Sequence, residues 1–134
     1  METLFHNQYL RVYLHRTSHL TLELQWLDFV PSTPFRAALQ EIWRLLGEHP
    51  IKAMVADNRL LRAVRPADLE VAGELVMKRL SDLGGQRFAP IESLDAMNRM
   101  GVSALIASVI PNTQLTSQYF PTIEAARAWT TAPL

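Results

Sequence analysis

Tyr9-Leu10-Arg11-Val12-Tyr13-Leu14-His15-Arg16-Thr17-Ser18-His19-Leu20-Thr21-Leu22-Glu23-Leu24-Gln25-Trp26 alternates apolar and polar residues twice, with a short polar interruption between the two runs. Side chains two residues apart in an extended chain point the same way. Leu10, Val12 and Leu14 therefore share one face of a first strand, and Leu20, Leu22, Leu24 and Trp26 share one face of a second. Arg16 to His19 supply the turn, so the pattern predicts an antiparallel hairpin. Thr21, Glu23 and Gln25 fall on the opposite face, which is expected to be wet.

Pro31-Ser32-Thr33-Pro34 then breaks the alternation, with Thr33 a candidate helix cap and Pro34 suited to the first helical position. Phe35, Leu39, Ile42 and Leu46 follow at spacings of four, three and four, the stripe of an amphipathic helix that Gly47 ends. Ile51 to Ala56 is too short and too apolar for another helix and predicts a strand buried on both faces. Pro66 opens the next helix, whose inward stripe is Leu69, Ala72, Val76 and Leu80 and whose stop is Gly84-Gly85. Phe88 to Ile91 predicts a further buried strand. Between Glu92 and Asn112, Leu94, Met97 and Gly101 sit at helical spacing, as do Val102, Leu105 and Val109, with Gly101 a candidate break into two short helices. Gln114 to Phe120 predicts a last strand, and Pro121-Thr122 opens a terminal helix through Ile123, Ala126 and Trp129. Two strand-then-helix alternations after a hairpin give an α/β domain over residues 1–134, with a partly parallel sheet and helices packed on it.

Composition narrows the function classes. Thirteen Lys plus Arg balance thirteen Asp plus Glu, and the arginines are scattered, so no field draws a polyanion and nucleic acid is not an expected partner. Zero net charge also weakens self-repulsion between copies. The chain has no cysteine, which removes disulfide and thiolate chemistry. Met1-Glu2 and the polar residues after them do not form a secretion signal, and no apolar run approaches the ~20 residues of a membrane span. A cytoplasmic location without membrane association is the resulting expectation.

Two local sequences carry a resemblance. Gln118-Tyr119-Phe120-Pro121-Thr122-Ile123-Glu124-Ala125-Ala126-Arg127-Ala128-Trp129 and Val55-Ala56-Asp57-Asn58-Arg59 resemble the last strand and helix, and the strand ending in aspartate, of the SpoIIAA-like or STAS-like (STAS/SEC14-type) superfamily. The likeness is particularly to stand-alone, mostly uncharacterised bacterial members. The resemblance implies a mixed four- or five-stranded sheet, helices mainly on one face, an N-terminal β-hairpin, self-association and no enzymatic activity. Regulatory members carry a phosphorylatable hydroxyl at the start of the helix after the strand matched here by Val55 to Asp57. Asn58 to Arg65 holds no Ser or Thr, so a phosphoswitch is not expected.

Asp57, Asn58 and Arg59 form the leading candidate site, because ligands of α/β sheets gather at the carboxyl ends of strands. Arg59, Arg62 and Arg65 could present guanidinium groups to a small anion there, or an apolar metabolite could sit near the helix start at Pro66. The alternative is structural, with Asp57 fixing its own turn and the arginines solvated or paired with Asp68 and Glu70. His6, His15, His19 and His49 lack the convergent spacing of a metal site. Glu92 and Asp95 are three apart and would share a helical face, Ser93, Ser103 and Ser108 have no nucleophile elbow, and Gly84-Gly85 is not a phosphate loop. No cofactor is implied. Phe29, Trp43 and Leu45 are candidates for an apolar patch that meets a second copy or a protein partner. The sequence thus favours a non-catalytic interaction or regulatory module that self-associates as a homodimer, with a small-ligand binder as the alternative.

Overall fold

The computed structural model describes residues 1–134. Strand β1 (Glu2–His6) precedes the expected hairpin of β2 (Leu10–Arg16) and β3 (Leu20–Trp26). Helix α1 (Ser32–Glu48) leads to β4 (Ile51–Asp57). Helix α2 (Pro66–Ala72) continues without interruption through a π-helical segment, Gly73–Lys78, into α3 (Arg79–Asp82). Then come β5 (Arg87–Ile91), α4 (Ala96–Val109), a 3-10 turn at Ile110–Asn112, β6 (Thr116–Ser117) and α5 (Ile123–Thr131).

The six strands lie in one sheet in chain order, antiparallel from β1 to β3 and parallel from β3 to β6. Each parallel crossover steps one position in the same direction. Right-handed connections of that kind put every crossover helix on one face. Accordingly the main core joins Leu10, Leu22, Leu24 and Trp26 of the hairpin to Leu39 and Ile42 of α1, Val76, and Ile106 of α4. Trp26 stacks on Phe35 with ring centroids 5.0 Å apart. Only α5 lies on the other face, where Ala126 packs with Val55, Ala89 and Ile91.

The sheet exceeds the expected four or five strands because Glu2–His6 adds an edge strand, bulged between Thr3 and Phe5, that carries no clear alternation. Its last strand is shorter than the expected 114–120. Pro90 explains this: its carbonyl accepts from Phe120 on the β6 side, so its missing N–H leaves that side of the ladder short of a donor. The first helix begins at Ser32 after Pro31, with no side-chain cap, so Thr33 does not cap it and Pro34 lies within the first turn, where N–H groups are free in any case. Gly101 does not divide α4. It permits a close approach, since a Cβ there would lie 2.9 Å from Cδ1 of Leu69. Leu94 and Met97, which sit at helical spacing, are both exposed: the helix starts only at Ala96, with Asp95 capping the N–H of Asn98 at 3.0 Å, so Leu94 lies before it, and Met97 falls on its outer side.

Candidate functional site

The carboxyl ends of β4 and β5 carry a closely hydrogen-bonded corner of the molecule. Asp57, the last residue of β4, is buried and holds Arg59 through two side-chain bonds, Nε to Oδ1 at 2.9 Å and Nη2 to Oδ2 at 2.8 Å. Oδ1 also accepts the backbone N–H of Arg59 at 3.2 Å, the turn-fixing role short acidic residues favour. The bond to Asp57 raises the affinity of the Arg59 guanidinium for its proton above the ordinary value. Arg59 is thereby committed to its own turn.

Three bonds lash the β4–α2 loop to the β5–α4 loop and the first turn of α4. Leu94 N–H donates to Arg59 O at 3.1 Å, Ser93 Oγ to Leu61 O at 2.5 Å, and Asn98 Nδ2 to Arg62 O at 2.9 Å. These two loops and the β6–α5 segment frame a cleft of about 310 Å³ lined by Arg59, Glu92, Leu94, Tyr119, Phe120 and Pro121. Leu94 is 77% exposed, and Leu60 and Tyr119 are exposed as well. An apolar, loop-built surface of this kind can seat a side chain of another molecule.

The expected site residues separate. Asp57, Asn58 and Arg59 meet at this corner, whereas Arg62 and Arg65 are exposed and make no ion pair. Asp68 is indeed paired, but with Arg36 of α1 at 2.7 Å, a hydrogen bond that lowers its pKa. Asn58 faces inward instead, the one polar residue lining a cavity of about 60 Å³ that Trp26, Leu61, Met77, Leu105 and others enclose. Glu92 precedes α4 and Asp95 caps it, so their carboxylates do not share a helical face. No three His, Asp or Glu side chains converge where a metal ion could be held. No helix is long and apolar enough to cross a membrane.

The expected patch of Phe29, Trp43 and Leu45 does not assemble. Leu45 is 3% exposed and belongs to the core, because α1 buries a wider stripe than the four-residue spacing marks. Trp43 is exposed, but the Arg79 guanidinium lies 3.8 Å from its ring centroid. Phe29 precedes α1 and Trp43 stands at the start of its fourth turn, roughly 16 Å beyond Ser32 by the helical rise.

The hairpin face expected to be wet is partly buried beneath α5. Glu23 is 1% exposed and accepts from Arg127 at 2.7 Å and 2.9 Å, and from Nε2 of His15 at 2.9 Å. Burial alone would raise its pKa, but the bonds from Arg127 and His15 prevail and hold it down to about 2. Thr21 Oγ1 and His19 Nε2 both donate to Thr130 O, at 3.0 Å and 2.6 Å. Arg87 closes the end of α5 by donating to Trp129 O and Ala132 O. The terminal helix is thus fastened to the sheet by polar contacts as much as by Ala126 and Trp129.

The topology decides the comparison with known folds. Over 92% of this chain and 98% of the other, the structure superposes on that of the anti-sigma factor antagonist SpoIIAA in its unphosphorylated form, with a TM-score of 0.65 and 10% sequence identity. The fold is SpoIIAA-like. An uncharacterized DUF3478-family protein with a SpoIIAA-like fold from Shewanella loihica PV-4 superposes with a TM-score of 0.62 at 11% identity, covering 95% of this chain and 98% of that one. No family model matches the chain. No curated protein sequence matches it. The SpoIIAA-like likeness therefore rests on three-dimensional arrangement. Within this fold the hydroxyl nearest the Asp57 corner in the β5–α4 loop is Ser93, buried and donating to Leu61 O.

Proposed function

We propose that the protein is a non-catalytic regulatory module that recognises another protein through the cleft at the carboxyl ends of β4 and β5. The observation that carries this reading is the exposed apolar set Leu60, Leu94 and Tyr119: Leu60 and Leu94 stand on loops held by three hydrogen bonds and the Asp57–Arg59 pair, and Tyr119 on the neighbouring β6–α5 segment, where Phe120 N–H donates to Pro90 O. A preorganised apolar surface loses little entropy on binding, which strengthens recognition. The SpoIIAA-like fold supports the reading, since one protein that shares it is named for antagonising an anti-sigma factor. A small anion is less well served, because Arg59 already spends both arms on Asp57.

The test is a photo-reactive benzoylphenylalanine placed at Leu94 in the protein expressed in its native cells, with Glu48 on the far part of α1 as the control position. A discrete cross-linked protein at position 94 and none at 48 is expected. Equal, diffuse labelling at both positions would refute the cleft as a recognition surface.

A second reading, binding of a small apolar molecule, is favoured by the inner cavity and its single polar lining residue, Asn58. At about 60 Å³ the space is far below the ~300 Å³ of ordinary ligand sites, so this reading requires the helices to part. Titration with a fluorescent fatty acid tests it: saturable binding that Asn58→Leu alters supports it, and no binding ends it.

A further inference from the structure

Helix α4 has an outer side that the fold leaves unpartnered. Its inner side is accounted for by Asn98 and Ile106, which are buried, and by Val102, Leu105 and Val109, which pack on the core. On the outside, Met97, Met100, Ala104 and Ala107 recur at spacings of three, four and three, and all four are exposed, the two methionines at 69% each. That spacing is the seam of a helix meant to lie along another helix. A solvated helix face ordinarily carries charge. Between Ala96 and Asn112 the only charged residue is Arg99, and it lies to the side of this seam.

We propose that a second copy of the chain covers this face, α4 packing antiparallel on its twin across a two-fold axis near Val102. The shape of the seam selects that occupant. Its N-terminal half is large, Met97 and Met100, and its C-terminal half small, Ala104 and Ala107. An antiparallel twin sets Met100 against the other copy's Ala104, and Met97 against its Ala107, twice over, which is the self-complementarity a two-fold contact demands. A parallel twin would crowd methionine on methionine and leave a gap between the alanines. Methionine's unbranched, adaptable side chain suits the large half of such a seam.

Charge agrees with shape. The Arg99 side chain leans toward the start of its own helix, where it donates to Ser93 O at 3.1 Å. In the antiparallel pair that end lies beside the last turn of the opposite helix, whose carbonyl ends carry partial negative charge. The zero net charge of the chain adds no repulsion between copies. One helix pair covers an area at the small end of specific interfaces, so the dimer is weak and concentration-dependent. The seam residues Met97, Met100, Ala104 and Ala107 line no part of the cleft between the loops, so the contact stands or falls separately from the recognition surface proposed above.

Sedimentation and light scattering of the full chain test the association. The mass is expected to rise with concentration from 15.2 kDa toward twice that value. Ala104→Asp should hold it at the monomer value while leaving the circular dichroism unchanged, as the position is exposed. Because the chain has no cysteine, geometry can be read from introduced thiols. Met100→Cys and Ala104→Cys proteins, mixed and mildly oxidised, should form the mixed disulfide in preference to either symmetric one. A monomer at every concentration would overturn the proposal, as would predominance of the symmetric disulfides or a dimer unaffected by Ala104→Asp. Cross-linking at Leu94 in the Ala104→Asp background keeps the outcomes separate, since loss of the dimer leaves the partner cross-link in place.

Discussion

Replacing Glu23 with glutamine isolates the buried charge that fastens α5 to the sheet. In the folded protein the carboxyl is 1% exposed and titrates near 2, against an ordinary 4.5. A carboxyl whose folded pKa is depressed stabilises the fold above its unfolded pKa, and that stabilisation fades as pH falls toward the folded value. The gap corresponds to about 3 kcal/mol near neutral pH, of which about 2 kcal/mol is lost by about pH 3. Other carboxylates titrate over the same range, Asp68 among them, its pKa lowered by Arg36. The informative quantity is therefore the difference between wild type and Glu23→Gln, which retains the shape and removes the titration. Urea unfolding of both proteins from neutral pH to about pH 3 should show a stability gap of up to about 3 kcal/mol that narrows by about 2 kcal/mol on acidification. Arg127→Met leaves the same carboxylate buried without its main partner and should cost about 2 kcal/mol at neutral pH, less than for a fully buried pair because Arg127 is 37% exposed. Stability curves for wild type and Glu23→Gln that run parallel with pH, or a gap that widens in acid, would refute the assignment of Glu23 as an ionised anchor.

Arg59→Ala should destabilise the protein by about 2 kcal/mol in chemical unfolding, since it strands the buried Asp57; the figure lies below that for a fully buried pair because Arg59 is 40% exposed. Leu45→Asp should abolish folding by placing a charge in the core, whereas Trp43→Asp should fold and lose only about 1 kcal/mol with its Arg79 contact; comparable circular dichroism melts for the two would contradict their placement. Gly84→Ala should cost about 1 kcal/mol and lower the melting temperature, because Gly84 sits at φ 94°.

Local periodicity made the hairpin, the α1 stripe and β4 legible, because each buries its pattern against partners whose own patterns match. Leu22, Leu24, Leu39, Ile42 and Met54 occupy the core as their spacing requires. Periodicity carries no information about which elements far apart in sequence will cover a polar face. Glu23 is such a case: its position on the strand marks it as outward-facing, and only the return of α5 a hundred residues later buries it. The available signal was on the helix, where Arg127 and Thr130 flank Ala126 with polar groups that need partners. Leu94 shows the limit of spacing in another way, since it sits at helical spacing from Met97 while the Asp95 cap starts the helix after it.

The same distinction governs the candidate site. Asp57, Asn58 and Arg59 could be located because the end of a parallel strand is a topological consequence of the βαβ order. What each does there could not, because it depends on the angle at which the chain leaves the strand. Asp57 and Arg59 close on each other, Asn58 turns into the core, and Leu60 is left outside. A turn that satisfies its own charges frees the surface around it for apolar contact. The recognition proposed for this corner would therefore rest on Leu60, Leu94 and Tyr119, residues whose exposure only the packed loops reveal, with the Asp57–Arg59 pair as their support.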